Sequence, residues 1–154
     1  MTTTAVRAPR DGDVMRMSFE VAPRRGDTPP SREDRCRVGS ARRIAAARLR
    51  YCGLEPMTDD VTLIISELLT NALLHSGATE ISLTVVVRDG SVRIVVSDGQ
   101  PGNAEPKNVD DRAESGRGLL LVDALVTENG GTWGTSNAGG TTWCQLLGPN
   151  RGQS

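Results

Sequence analysis

The stretch Glu80 to Asp98, "EISLTVVVRDGSVRIVVSD", restricts the fold of this chain more than any other. Two runs alternate apolar with polar residues on either side of Asp89-Gly90, a pair suited to a type I′ turn. Period two puts Ile81, Leu83, Val85 and Val87 on one face of the first strand. It puts Val92, Ile94, Val96 and then Asp98 on one face of the second. A hairpin with one apolar face must bury it against another layer. Asp98 extends the apolar row at the strand's end, and an acid aimed at the interior needs a hydrogen-bond donor.

The layer to cover that hairpin is available upstream. Arg35 to Tyr51 has helical periodicity, with Val38, Ala41, Ile44, Ala45 and Leu49 on one stripe and Gly53 as a stop. A second helix is expected from Thr58, as N-cap, to about Gly77, with Asp59 and Asp60 at the positive end of its dipole. Val61, Ile64, Ile65, Leu68, Leu69 and Ala72 form its apolar face. Within it, "SELLTNALLHSG" spaces Glu67, Asn71 and the sole histidine, His75, one turn apart. Standing alone, such a ladder would be ordinary helix-surface polarity. At the edge of a core, its carboxylate and carboxamide need partners from the protein or from a ligand.

Elsewhere the reading is coarser. "VMRMSFEVAP" alternates and suits an edge strand ending at Pro23, followed by the loop "RRGDTPPS". "GQPGNAEPKNVDDRAESGRG" lacks periodicity, and a loop of that length is usually functional or disordered. "GLLLVDALV" reads as a third helix. "NGGTWGTS" and "TTWCQLL" flank the turn residues "NAGG" of a last hairpin. The order β-α-α-β-β-lid-α-β-β implies an α+β, two-layer sandwich: a mixed sheet with helices on one face. We expect one domain over residues 14–147, with a lid at about 99–118, between flexible ends at 1–13 and 148–154.

Composition excludes several classes. Twelve of seventeen arginines precede Glu55, but acids are interleaved with them and aromatics are scarce, so a solvated face fits better than nucleic-acid binding. Three cysteines without ligand spacing, and one histidine, do not suit zinc. No apolar run is long enough to span a bilayer, and no secretory signal opens the chain. The expected location is the cytoplasm, with reduced thiols.

Three motifs, "ELLTNALLH", "SDGQPG" and "SGRGLLLV", are followed by "GGTTW". In this order the chain resembles the GHKL superfamily of histidine-kinase-like ATPases and their Bergerat nucleotide-binding fold, over roughly Arg35 to Leu147. More narrowly it is similar to the small RsbW-like anti-sigma factors, which are serine kinases. The resemblance makes Asn71 the magnesium ligand on the ATP triphosphate and Glu67 the general base. Asp98, with Gly99, would receive the adenine amine, and Thr141 would support that contact. Gly116, Arg117, Gly118 and Leu119 would match the second glycine box, its amides approaching phosphate at a helix N-terminus. Arg117 would add a phosphate contact. "DGQPG" departs from the tighter Asp-x-Gly-x-Gly of many sensor kinases.

Trp133 and Trp143 are expected in sheet packing rather than on the base. His75 lies inside the ladder helix, whereas a sensor kinase's phosphohistidine occupies a separate dimerisation helix. It reads as a polar helix-end residue near phosphate. The implied activity is that of a magnesium-ATP-dependent protein serine/threonine kinase. It would bind a sigma factor and phosphorylate an anti-anti-sigma (STAS) partner, with a free sheet edge available for a homodimer and no nucleic acid or membrane contact. The alternative is a non-catalytic ATP-binding module that sequesters a sigma factor or another partner. A detached sensor-kinase ATPase domain is a third reading.

Overall fold

The computed structural model describes residues 13–22, 29–75, 79–98, 109–136 and 140–148, with the backbone alone at 13, 75 and 109–117. A five-stranded sheet runs in the order β1-β2-β3-β5-β4. Its strands are β1 (Asp13–Glu20), β2 (Glu80–Arg88), β3 (Ser91–Ser97), β4 (Thr132–Ser136) and β5 (Thr141–Leu146). Three helices, α1 (Arg32–Tyr51), α2 (Thr58–His75) and α3 (Val109–Glu128), pack against it.

Every neighbouring pair of strands is antiparallel, which corrects the mixed sheet expected from element order. The reason is topological. The chain leaves β3, passes through α3 and reverses once more in the β4–β5 hairpin, so β5 returns against β3.

The alternation read in the sequence becomes the core. One row, Met15–Val85–Ile94–Cys144–Trp133, crosses all five strands. The next, Met17–Leu83–Val96–Thr142–Thr135, lies beside it on the same face. The turn between β2 and β3 has positive φ at both Asp89 (52°) and Gly90 (76°), as a type I′ turn requires. The β4–β5 hairpin also forms, although its turn residues 137–139 fall outside the described set. On the sheet's other face, Arg93 stacks 4.9 Å from the Trp143 ring centroid and reaches Gln145 Oε1 at 3.2 Å. Trp133 is half-buried against the core and donates to Asp123 Oδ1 at 2.8 Å, so both tryptophans are packing residues.

α1 starts three residues before the expected Arg35. Ser31 caps it, accepting from the Asp34 N–H at 3.1 Å. Asp34 is 1% exposed and accepts from the Ala22 N–H at 3.2 Å, while Arg37 donates to the Glu20 carbonyl at 2.6 Å. These contacts tie β1 to α1, and the gap of a dozen residues hides them in the sequence. The buried stripe of α1 is Val38, Ala41, Ala45 and Leu49; Ile44, 44% exposed, lies off it. Spacings of three and four follow one face, and Ile44 is rotated about 100° from Ala45.

A 3₁₀ turn at Glu55–Met57 leads directly into α2, and Thr58 already has helical φ and ψ of −59° and −47°. It is therefore the first helical residue rather than the N-cap, since a cap is extended. Asp59 and Asp60 do occupy the first turn. Val61, Ile64, Ile65, Leu68, Leu69 and Leu73 are buried, and Ala72 is partly so. Gly77, the expected end of α2, lies outside the described residues. Among the described residues no helix is long and apolar enough to cross a membrane.

Candidate nucleotide site

Glu67 and Asn71 sit half-buried on α2 beside its buried face. What covers them is a glycine. A Cβ built on Gly118 of α3 would lie 3.2 Å from Glu67 Oε1, 3.2 Å from Asn71 Nδ2 and 3.3 Å from Asn71 Oδ1. The carboxylate and the carboxamide therefore converge on one short stretch of α3 backbone, which approaches them because no side chain intervenes. The His75 side chain, third in the ladder, lies outside the described set.

Gly118 was expected just ahead of a helix, with its amide free for phosphate. Instead α3 begins at Val109, and Gly116, Arg117, Gly118 and Leu119 all lie within it. The 109–118 half of the expected lid is helix. Between its glycines and prolines lie Asp110, Asp111, Arg112, Ala113 and Glu114: acids suited to a first helical turn, then good helix formers. Each glycine costs about 1 kcal/mol in a helix interior, too little to break it here. The Arg117 side chain and Gly99 fall outside the described residues. Leu119 is half-buried against the core.

Asp98 follows β3 directly, half-buried, and its N–H donates to the Gly140 carbonyl at 3.0 Å. Chain geometry puts it at the ladder's end of the molecule. β2 begins at Glu80, just after α2 ends at His75, and Ser82 pairs with Ser97. Asp98 is one residue beyond that pair, and α2 packs on both strands. β5 starts at the same end, since Thr141 pairs with Ser97.

Thr141 donates to Ser97 Oγ at 3.3 Å. Strand alternation gives the buried face instead to Thr142, opposite Val96. The adjacent hydroxyl thus shares the face of the row that leads to Asp98. Sequence alone could not separate the two threonines, because a one-residue shift reverses which face each occupies.

Two oxygen-bearing side chains on one line suit a hard cation that keeps phosphate and water as its other ligands. Among the described residues no three His, Cys, Asp or Glu side chains cluster as a metal site. Cys36 is exposed, whereas Cys52 and Cys144 are buried, and none of the three is in a disulfide. Burial pushes the Cys144 thiol up from 9.0 to about 12, against a smaller opposing pull from Arg93. Such a thiol is inert as a nucleophile.

Residues 30–145 match the sequence model of the histidine kinase-like ATPase domain. The chain belongs to that family. As a histidine kinase-like ATPase domain it carries the family's ATP-binding, kinase-type character, and the matched span includes Glu67, Asn71, Asp98, Gly118 and Thr141. The domain is also 38% identical over 99 residues to the sensor histidine kinase component HK1 of Mycobacterium tuberculosis, covering 56% of this chain and 57% of that protein. A probable sensor histidine kinase HK from another strain of the same species is 38% identical over 99 residues, with 26% of its length covered. This ATPase domain therefore spans between about a quarter and somewhat over half of the curated relatives it matches.

Proposed function

We propose that this chain is a magnesium-ATP-dependent protein serine/threonine kinase of the anti-sigma type, which binds a sigma factor and phosphorylates an anti-anti-sigma (STAS) partner. The observation that carries the reading is the convergence of Glu67 and Asn71 on Gly118. A carboxylate one turn before a carboxamide supplies a proton acceptor beside a group able to hold a magnesium-bound triphosphate. Magnesium, held through Asn71, would neutralise phosphate charge. Glu67 would accept the proton of the acceptor hydroxyl as its oxygen bonds to the γ-phosphorus. The bond from that phosphorus to the β,γ-bridging oxygen breaks, and ADP leaves. Such transfer depends on positioning and charge neutralisation more than on covalent help from the protein. Asp98 would accept from the adenine amine, a selectivity that rests on the penalty for an unpaired polar group.

The names of the relatives favour a second reading, in which this domain serves as the ATPase part of a histidine kinase and transfers phosphate to a histidine elsewhere. One assay separates the two. The purified chain is incubated with labelled ATP, magnesium and a STAS partner, beside Glu67→Ala and Asn71→Ala variants. Acid-stable label on the partner, lost in Glu67→Ala, is the expected result. Acid-labile, alkali-stable label would mark phosphohistidine and replace the serine/threonine assignment. Nucleotide binding that needs Asn71, with no transfer to any partner, would leave a sequestering module.

A further inference from the structure

Among the described residues, α2 and α3 meet through polar groups at two separate points. At one, Glu67 and Asn71 lie against the Gly118 backbone. At the other, Asn129 Nδ2, just past the end of α3, donates to Asp60 Oδ2 in the first turn of α2 at 2.8 Å. The start of α2 therefore meets the end of α3, and the two helices run antiparallel. The same Asn129 amide donates to the Leu125 carbonyl at 2.8 Å, and the Asn129 carbonyl accepts from the Leu147 N–H at 3.1 Å. Asn129 thus joins the end of α3 to α2 and to the residue after β5.

The spacing of the two points is equal on both helices. Asp60 to Asn71 is eleven residues, and Gly118 to Asn129 is also eleven. Eleven residues make about three turns, so both points lie on one stripe of each helix. Apolar contacts between such helices are non-directional and set distance better than axial register. A hydrogen bond to a carboxylate has strict length and angle, and it weakens steeply when misaligned.

We propose that Asp60 and Asn129 are positioning residues: their hydrogen bond sets the axial register of α3 on α2 and so holds Gly118 against Glu67 and Asn71. The catalytic consequence rests on the ATP-site reading given above; the register itself does not. A slip of α3 along α2 would stretch the Asp60–Asn129 bond and move Gly118 off the ladder together.

The test uses the full chain with Asp60→Ala, Asn129→Ala and Asp60→Asn, beside Ile81→Val in β2 as a remote destabilising control. Magnesium-ATP affinity is titrated, and the Gly118 backbone and Asn71 side-chain amide resonances are followed without ligand. Both alanine variants are expected to weaken nucleotide binding roughly fivefold and to shift both resonances. Asp60→Asn keeps an acceptor oxygen and is expected to stay within about twofold of wild type. Alanine variants that change affinity and resonances no more than Ile81→Val does, at matched melting temperature, would overturn the proposal. Shifted resonances with unchanged affinity would also overturn the positioning role. If wild type binds no magnesium-ATP, the ATP reading falls and the resonances alone decide the register.

Discussion

The two ends of the α2–α3 pair are built on opposite principles. At the Asp60 end the polar groups are matched to one another: Asn129 serves a carboxylate, a helix carbonyl and the amide just past β5 together. At the Asn71 end a carboxylate and a carboxamide face the backbone of a glycine. One end spends its polar chemistry on holding the fold; the other presents it to a gap where a side chain would normally stand. A stable frame thus carries a site whose groups are positioned by neighbours three turns away.

Both ends depend on the apolar packing of α2. Leu69 is fully buried on α2 between them. Leu69→Ala should lower stability by about 2–5 kcal/mol, measured by urea unfolding, and degrade both ends alike. Gly118→Ala separates them. The new methyl meets Glu67 and Asn71 at 3.2 Å, so magnesium-ATP affinity should fall on the order of tenfold, because small displacements at such groups carry large penalties. Its melting temperature should change little, since alanine favours a helix interior by about 1 kcal/mol over glycine. A large loss of stability with intact binding would reverse the assignment of the two ends.

The sheet behind both ends holds a thiol that titrates. The Cys144 thiol is raised from 9.0 to about 12 in the folded chain, so between those values the native state holds a proton that the unfolded state has lost. Stability should therefore be complete below pH 9 and decline as pH rises toward 12. Unfolding curves across that window should lose part of their slope in Cys144→Ala. The smallest effect is expected on the outer face. Arg93→Ala removes the stack on Trp143 and should cost about 0.5–1 kcal/mol, with nucleotide binding unchanged.

What the sequence disclosed follows how local each cause is. The central hairpin was legible because alternation and an Asp-Gly turn act within a few residues. The α2 ladder was legible because helical spacing is fixed. The start of α3 was not, since a segment rich in glycine and charge reads as loop until tertiary contacts hold it as helix. Asp34 and Asn129 were missed for a related reason. Their partners, Ala22 and Asp60, are 12 and 69 residues away, and nothing in either neighbourhood announces them. "NGG" after α3 was read as the approach to a strand, though an asparagine and glycines are common punctuation at a helix end. Which face Thr141 and Thr142 each occupy turned on register, which the β3–β5 pairing supplies.

That pairing also bears on how the molecule assembles. Each of its hairpins closes over a short turn, whereas β3 meets β5 only after α3 and β4 have intervened. β1 meets β2 across a still longer span, through α1 and α2, so these two seams are the costly closures and refolding should wait on them. Weakening the β1–β2 seam at Phe19 should slow refolding more than an equal loss of stability within the β4–β5 hairpin, a difference stopped-flow kinetics can read.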